Sequence, residues 1–583
     1  MRKSFLVALA GIFAPLALAQ ETATAGHTQT GTGGAAATVD RYATDAAITV
    51  LELGGNAVDA AVAAAAVVNV TNPFSAGIGG GGFMLVYLAD EDRVVTLDAR
   101  EMAPAAATPE MFLDESGEGI SFYPERVSSG LSVGVPGTLA GWDEALRNYG
   151  TLELATALQP AIRLAEEGFT VSETFASQIA DNQERFVAFT STSKLFLPNG
   201  APPEVGSTFR NPELAATFRL IAEGGTDVLY RGAIGRDLVA AVQNPPTVEN
   251  PPFEVRAQQM TLADLDSYNV VVRDPTVTEY RDFTVYGMGP PSSGGLTVGL
   301  ILNQLEGADV GALPRPAALH RMLEAMRLAY ADRGAYMGDS DFVNVPVAGL
   351  QTQAFADERA ALIKEQATLE VTAGDPFAHQ NDPSPPLTPP TEDTEGQSTT
   401  HIVTVDAAGN AVSFTTTIET TGGSGIVVPG RGFLLNNELT DFDSEPGGPN
   451  SVEPRKRPRS SMSPTIVTRN GDLYLALGSP GGSTIITTVT QTLLNVFDFK
   501  MTLPQAISAA RLSNRGGDTT SLETNVSPPA GLLTALEGRG QSFEETEELG
   551  AATGIMVRPD GTLVAAAEPV RRGGGSARVV TPR

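Results

Sequence analysis

The chain has 583 residues, of which 42% are hydrophobic and 18% are charged, and it contains no cysteine. This composition argues against global disorder, and the lack of thiols excludes disulfides, Fe–S clusters and cysteine nucleophiles. The formal net charge of −30 repels nucleic acid and anionic membranes, so neither is an expected partner. Only four histidines are available for a metal site or a catalytic triad: His27, His320, His379 and His401.

The N-terminal residues have the features of a secretory signal peptide. A basic start at residues 2–3 is followed by an apolar run of about 15 residues and by Ala-Leu-Ala at 17–19, a small-x-small cleavage pattern. The run is shorter than a membrane span of roughly 20 residues. We therefore expect a signal peptide over residues 1–19, cleavage near Ala19 and a periplasmic or secreted protein. Residues 20–37 are rich in Thr, Gly and Ala, which predicts a disordered leader.

Helical patterns dominate the part of the chain that follows. The spacing of apolar residues predicts helices over 137–148, 155–167 and 317–334, and residues 56–70 are apolar on nearly every side, as is typical of a helix buried between layers. After the leader no segment has 18 uninterrupted apolar residues, so no membrane span is expected there. Residues 371–398 contain many prolines and acids, which predicts a mobile acidic, proline-rich linker.

Strand patterns begin directly after this linker. Alternating and β-branched residues predict a hairpin over 401–417 with a four-residue turn at its tip. Such a turn would place Thr400 opposite Thr417 and Thr399 opposite Ile418. The Thr417 side chain would then lie within reach of Thr399.

A threonine at the start of a strand can serve as a nucleophile. If the Ser398–Thr399 bond is cut, Thr399 gains a free α-amine beside its own hydroxyl. That amine can act as the general base, so no histidine is needed. On this pattern alone the alternative is an ordinary pair of strand threonines, because threonine is common in strands.

Longer motifs run through both halves of the chain. They are Gly79–Met84, Asp98–Pro104, Gly134–Gly137, Pro290–Gly295, Thr399–His401, Gly432–Phe442, Lys456–Thr465 and Gly478–Ser483. From about residue 38 to near the C-terminus the sequence resembles the gamma-glutamyltransferase family of N-terminal-nucleophile hydrolases. The resemblance implies an α+β fold, an αββα sandwich, autoprocessed into two intertwined chains. These would be a large subunit, 38–398, and a small subunit, 399–583.

The resemblance also implies catalytic roles. Thr399 would be both the residue that cuts the chain and the acyl nucleophile, and Thr417 would steady it. Gly481 and Gly482 match the oxyanion-hole glycines. Without a Cβ, two backbone N–H groups can converge on the oxyanion, and one such donor contributes about 2.7–4 kcal/mol.

Substrate-binding roles follow from the same motifs. Arg100 matches an arginine that binds the α-carboxylate of a γ-glutamyl donor, since a guanidinium fork suits a carboxylate. Ser460 and Ser461 match serines that donate to the same group. Glu438 and Asp441 match acids that hold the donor's α-ammonium group.

Two features depart from the family pattern. The usual asparagine after the second threonine is Glu419, which adds a third acid near the ammonium. It could strengthen amine binding, or it could be protonated, since crowded carboxylates raise each other's pKa. The span from Asp441 to Ser460 lacks a long lid insertion, which predicts an open pocket.

The expected activity is transfer of a γ-glutamyl group from glutathione or a related amide to water or to an amino acid or peptide amine. The partners are then this small-molecule donor, its acceptor and the two subunits, and no cofactor or metal is required. The alternatives are a glutaryl or cephalosporin acylase of the same family and a non-catalytic secreted binding protein on the same scaffold. The G-x-G-x-x-G at 77–82 follows a helical segment instead of a strand, so we reject dinucleotide binding.

Overall fold

In a computed structural model the structure describes residues 26–384, 396 and 398–581. The predicted signal peptide and residues 385–395 and 397 of the predicted linker lie outside the described residues. The helices are α1 Arg41–Glu52, α2 Ala57–Thr71, α3 Thr138–Tyr149, α4 Leu154–Ala157, α5 Gln159–Glu167, α6 Glu173–Asp181, α7 Gln183–Phe186, α8 Thr190–Phe196, α9 Pro212–Gly224, α10 Asp227–Tyr230, α11 Ala233–Gln243, α12 Leu262–Asp266, α13 Gly294–Glu306, α14 Arg315–Tyr336, α15 Val347–Leu350, α16 Gln353–Ala360, α17 Thr484–Phe497, α18 Leu503–Ser508 and α19 Leu532–Glu537.

The strands are β1 Thr28–Gly31, β2 Ala35–Thr38, β3 Gly81–Leu88, β4 Arg93–Ala99, β5 Phe169–Thr170, β6 Thr208–Phe209, β7 Val271–Arg273, β8 Thr276–Tyr280, β9 Phe283–Gly287, β10 Thr400–Val405, β11 Ala411–Thr417, β12 Thr465–Arg469, β13 Asp472–Gly478, β14 Leu512–Ser513, β15 Thr519–Glu523, β16 Ser542–Thr546, β17 Thr553–Val557, β18 Leu563–Ala567 and β19 Ser576–Val579. Most of them belong to two seven-stranded antiparallel sheets. Sheet I has the order β1-β18-β17-β13-β12-β9-β8, and sheet II has the order β19-β2-β10-β11-β3-β4-β7.

The two sheets are stacked and carry helices on both outer faces. One apolar core joins the facing sides of the sheets to α13, α14 and α17, and a second core joins the other side of sheet II to α1, α2, α3 and α9. The predicted αββα sandwich is therefore confirmed. The helix predicted over 155–167 is divided into α4 and α5, because Pro160 favours a new first turn.

The alanine-rich α2 lies between the second core's helices and sheet II. Asn56 begins it with a capping box, in which its side chain accepts the Asp59 N–H and the Asp59 carboxylate accepts the Asn56 N–H. Every residue of the helix is buried, as predicted. The helix ends at Thr71, and the glycine run that follows leads into β3 and so to sheet II.

The predicted disordered leader is wrong for the part that the structure describes. β1 pairs with β18, and β2 lies between β10 and β19 inside sheet II. Ala35, Ala36 and Ala37 are completely buried. Their small side chains suit a strand that is packed on both faces, a setting that composition alone does not reveal.

The beginning of the predicted linker is packed as well. Residues Pro376–His379 form a short 3-10 helix, Phe377 is buried against Tyr336, and Arg359 donates to the Thr372 carbonyl oxygen at 2.8 Å. This packing departs from the mobile linker that the composition predicts, because one buried aromatic side chain holds the segment.

The β10–β11 hairpin has a register that differs by one residue from the prediction. Thr400 pairs with Thr416, so the predicted pairing of Thr400 with Thr417 is wrong. The cause is a longer turn, in which Asp406 Oδ1 accepts the N–H groups of Ala408 and Asn410. Among the described residues, no helix has the length and hydropathy to cross a membrane.

Candidate active site

Thr399 directly precedes β10, and the change in register brings it opposite the end of β11. Its Oγ1 donates to Thr417 Oγ1 at 3.1 Å, and Thr417 Oγ1 accepts the Glu419 N–H at 2.8 Å. Both threonines are buried. The predicted contact between the two threonine side chains is therefore confirmed.

The backbone at this junction is strained. Thr399 has a φ of +88°, which is unusual for a β-branched residue and costs on the order of 1–3 kcal/mol. The surroundings hold it: Ser398 Oγ donates to the Phe74 carbonyl oxygen at 3.1 Å, and Arg572 donates to the carbonyl oxygens of Thr399 at 2.9 Å and Ser398 at 3.3 Å. The strain therefore lies at the bond that the sequence predicts to be cut.

Histidine does not supply a base here. His401, two residues after Thr399, is buried between the sheets with its Nδ1 2.8 Å from Thr415 Oγ1. Burial lowers the pKa of His401 to about 3, so the ring is neutral at ordinary pH. No imidazole is among the described residues that line the pocket beside Thr399.

The empty space of that pocket, including the solvent at its opening, is about 220 Å³. It is lined by Arg100, Gly396, Thr399, Thr417, Glu419, Glu438, Asp441, Ser460, Met462, Gly482 and Ile485. Most of the predicted site residues thus come together from distant parts of the chain.

Two predicted residues lie just outside the lining. Ser461 Oγ accepts from Arg333 Nη2 at 2.7 Å, so this hydroxyl faces the arginine of α14. Gly481 has a φ of +140°, and a Cβ there would lie 2.6 Å from Thr484 Oγ1. Gly482 has a φ of +55°. Gly481 therefore has a structural need for glycine, and the turn places Gly482 at the pocket wall.

Arg100 is the buried cation of the site. Its Nη1 donates to Glu438 Oε1 and its Nη2 donates to Asp441 Oδ2 at 2.5 Å. Burial alone would lower the pKa of Arg100, but these two carboxylates outweigh it and raise the pKa. The arginine and the acids that we expect to bind opposite charges of a donor therefore contact each other.

Four carboxyl groups surround this one guanidinium. Burial raises the pKa of Glu438 well above its usual range, and it also raises the pKa of Glu419. The pKa of Glu101, which is fully buried, rises to about 7, mainly by burial. Of the two alternatives for Glu419, the raised pKa agrees with the protonated one, and its main cause is burial instead of crowding. We call Arg100, Glu101, Glu419, Glu438 and Asp441 the charged cluster.

Glu419 also contacts the segment before the junction. Its carboxylate accepts from the Gly396 N–H and from Thr420 Oγ1. Like Thr399, it has a positive φ, here +78°. Glu419 therefore holds the chain just upstream of Ser398.

Sequence reasoning missed two residues of this region. Glu101 stands beside Arg100 in a motif already singled out, so adjacency was an available signal. Arg572 lies 173 residues after Thr399, and no pattern links the two positions. The glycine run before β3 has a structural explanation, since a Cβ at Gly80 would collide with the Thr417 carbonyl oxygen.

The sequence profile described as Gamma-glutamyltranspeptidase matches residues 43–578. The chain belongs to the gamma-glutamyltranspeptidase family. This confirms the predicted family, and with it an enzyme family whose curated members include glutathione hydrolases and acylases.

Individual members of this family resemble the chain over nearly its whole length. It is 40% identical over 550 residues to the glutathione hydrolase proenzyme of Bacillus subtilis (strain 168), covering 93% of this chain and 91% of the relative. It is 37% identical over 562 residues to the acylase ACY 1 proenzyme of Pseudomonas sp. (strain V22), covering 94% and 95%. The crystal structure of cephalosporin acylase from Bacillus halodurans matches with a TM-score of 0.83 at 27% identity, covering 98% of this chain and 100% of that one. The fold is thus of the N-terminal-nucleophile hydrolase type.

Proposed function

We propose that this chain is the precursor of a self-cleaving γ-glutamyl hydrolase and transferase. The observation that carries the proposal is the position of Thr399, whose hydroxyl lies 3.1 Å from that of Thr417 at the wall of a pocket containing Arg100. Thr399 Oγ1 would attack the Ser398 carbonyl, and the freed amine of Thr399 would then serve as the base. The description of the relatives as proenzymes supports such maturation.

In turnover the same hydroxyl would attack the γ-amide carbonyl of the donor. The backbone N–H groups at Gly481 and Gly482 would stabilise the oxyanion. Collapse would release the amine and leave a γ-glutamyl ester on Thr399. Water would then give hydrolysis, and an amino acid or peptide amine would give transfer.

The charged cluster would recognise the amino-acid end of the donor. The donor's α-carboxylate would take a place on Arg100, with help from Ser460 and Ser461, while its α-ammonium would compensate Glu438 and Asp441. Because Arg100 already pairs with both acids, donor binding exchanges ion pairs inside a buried site. Glu419 would become available to the ammonium once the segment holding Gly396 has left.

The test compares wild type with Thr399→Ala and Thr399→Ser by denaturing gel and intact mass. We expect the wild type to yield a chain that begins at Thr399, the alanine variant to stay whole and inactive, and the serine variant to cleave slowly because it keeps a hydroxyl. A cleaved, active Thr399→Ala protein would contradict the proposal. A non-catalytic binding protein would show no glutathione hydrolysis in any form.

Glutaryl-amide hydrolysis is the second candidate, because of the similarity to a cephalosporin acylase and to acylase ACY 1. A glutaryl group lacks the α-amine, so Glu438 and Asp441 would have no ammonium to bind. We therefore favour the γ-glutamyl donor. A higher kcat/KM for a glutaryl amide than for glutathione would reverse this choice.

A further inference from the structure

We infer that Arg572 is a catalytic residue of maturation, where its guanidinium stabilises the oxyanion that forms on the Ser398 carbonyl. The inference rests on the proposed cleavage at Ser398–Thr399. Arg572 Nη2 donates to the Ser398 carbonyl oxygen at 3.3 Å, and Nη1 donates to the Thr399 carbonyl oxygen at 2.9 Å. The Ser398 oxygen is the atom that gains negative charge when Thr399 Oγ1 attacks. A cation is thus already in contact with it before the reaction starts.

The local fold directs Arg572 to this position. The preceding residue, Arg571, is fully buried and paired with Glu523 and Glu568, which anchors the turn. Arg572 has a φ of +55° and Gly573 a φ of +77°. An arginine keeps a left-handed backbone conformation only when the surrounding structure imposes that conformation.

The guanidinium remains charged although it is partly buried. The backbone N–H of Arg572 donates to Glu548 Oε2 at 2.9 Å, and Glu548 Oε1 lies 3.7 Å from the guanidinium. Burial lowers the pKa of Arg572 and Glu548 opposes this change, but arginine starts so high that it stays cationic at neutral pH. In a site of low dielectric a fixed cation stabilises developing negative charge more than it would in water.

The maturation step begins at the Thr399 hydroxyl. A bond forms between Thr399 Oγ1 and the Ser398 carbonyl carbon, and the electron pair of the carbonyl moves to its oxygen, against Arg572. The C–N bond then breaks and the hydroxyl proton ends on the Thr399 nitrogen, which gives an ester and a free amine. Water hydrolyses the ester to the Ser398 carboxylate and the Thr399 hydroxyl.

Arg572 therefore differs from the glycines of the pocket. Its contact with the Ser398 carbonyl is made to the residue that is separated from Thr399 when the chain is cut. Only its contact with the Thr399 carbonyl is still available during turnover. We expect Arg572 to act much more on the rate of self-cleavage than on kcat. The Gly481–Gly482 turn would stabilise the oxyanion of turnover.

The test measures the first-order rate at which full-length chain yields the fragment beginning at Thr399, with intact mass as the readout. Arg572→Ala, Arg572→Gln and Arg572→Lys are compared in a Thr399→Ser background if wild-type cleavage is too fast to follow. Loss of one oxyanion donor typically costs about 10²–10³ in rate, so we expect the alanine and glutamine variants to slow by that order and lysine by less. Millimolar guanidinium chloride should partly restore Arg572→Ala, and equal sodium chloride should not. Arg578→Ala, at an exposed arginine on the same C-terminal segment, is the matched control and should cleave at the normal rate.

Each result has a distinct meaning. Normal self-cleavage by Arg572→Ala and Arg572→Gln would overturn the inference and leave the proposed function intact. Slow cleavage that guanidinium fails to restore, together with a lowered Tm of the uncut chain, would make the arginine merely structural and would also overturn it. Equal losses in self-cleavage and in kcat of the cleaved fraction would do the same. A wild-type chain that never cuts at Ser398–Thr399 would instead overturn the proposed function.

Discussion

The junction at Ser398–Thr399 and the charged cluster lie side by side, but they are built from different chemical groups. At the junction a hydroxyl contacts a second hydroxyl, and the strain is in the backbone, at the φ of +88° of Thr399. In the charged cluster the backbone serves as a scaffold, and buried ionic side chains determine the energetics, with Arg100 between Glu438 and Asp441.

This difference separates the residues needed for self-cleavage from those needed to bind a donor. The junction needs no donor to cut its own chain, so it can react before any donor is present. Arg100, Glu438 and Asp441 matter to a ligand that carries charges of its own, whereas Glu419 also holds Gly396 of the uncut chain. Changes at Arg100, Glu438 or Asp441 should therefore affect turnover alone, whereas changes at the junction should affect both maturation and turnover.

Arg100→Ala should give the largest separation between the two regions. Removal of one partner of a buried charge pair costs about 2–5 kcal/mol, which corresponds to a loss in donor kcat/KM of about 30-fold or more. Self-cleavage should continue, since the Ser398 carbonyl does not use Arg100. Steady-state kinetics and a denaturing gel on the same preparation measure both effects. The donor kcat/KM of Arg100→Lys, which keeps the charge but loses the forked guanidinium, should lie between those of wild type and Arg100→Ala. A loss below about fivefold would mean that Arg100 does not bind the donor.

Thr417→Val tests the opposite case, a change at the junction. Valine keeps the shape but loses the hydroxyl that accepts from Thr399 Oγ1 and from the Glu419 N–H. A buried donor left without a partner costs about 1–3 kcal/mol, so we expect losses of roughly 10- to 100-fold. Self-cleavage and kcat should both fall, and Thr417→Ser should restore both. If only one of them falls, the two steps do not share the same activated oxygen.

Glu101→Gln examines the stability of the charged cluster. Burial raises the pKa of Glu101 from 4.5 to about 7, so the folded state holds a proton that the unfolded state has released. The contribution of Glu101 to the free energy of unfolding is fully present below about pH 4.5 and is lost as the pH rises through about 7. The loss is at most about 3 kcal/mol. Urea unfolding at several pH values should therefore show a smaller decline with rising pH for the glutamine variant. Glu419 and Glu438 keep some slope in that variant, since their pKa values are also raised. An unchanged slope would contradict a protonated Glu101.

Donor size should have the smallest effect on kcat/KM. A comparison of donors of different size tests how open the pocket entrance is. The short span from Asp441 to Ser460 predicts that glutathione and a long γ-linked glutamate oligomer are both used, with water competing well as acceptor. A glutaryl amide should be poor, because it lacks the ammonium. Rejection of the oligomer would show that another segment covers the site. The candidate is residues 103–131, whose Phe112 packs with Leu439 and Phe442.

The sequence predicted the fold through family motifs more than through hydrophobic patterns. Those motifs singled out Arg100, Thr399 and Glu438, which all line the pocket, because each lies in a run of distinctive residues. The hairpin register could not be predicted in this way, since it depends on how Asp406 closes the turn. Arg572 escaped notice because it lies in the turn between β18 and β19, 173 residues after Thr399, and so distant a contact leaves no local pattern.

Composition was the least reliable guide. Residues 35–37 are three alanines that look like a flexible leader, yet they form a strand inside sheet II. Phe377 similarly anchors a segment whose prolines and acids suggest mobility. In both cases the partner that orders the segment lies far away in the chain.

The interleaving of strands from the two predicted subunits has a consequence for the kinetic stability of the protein. In sheet II, β10 and β11 lie between β2 and β3, and in sheet I the strands β12, β13, β17 and β18 lie between β1 and β9. A cut at Ser398–Thr399 would leave two polypeptides that cannot separate without breaking the hydrogen bonds between strands in both sheets. The uncut precursor can refold in a first-order process, whereas the cut protein would have to find its partner in a second-order one. Recovery after unfolding would then depend on concentration, and the working lifetime of the mature protein would be set by its unfolding rate instead of its equilibrium stability.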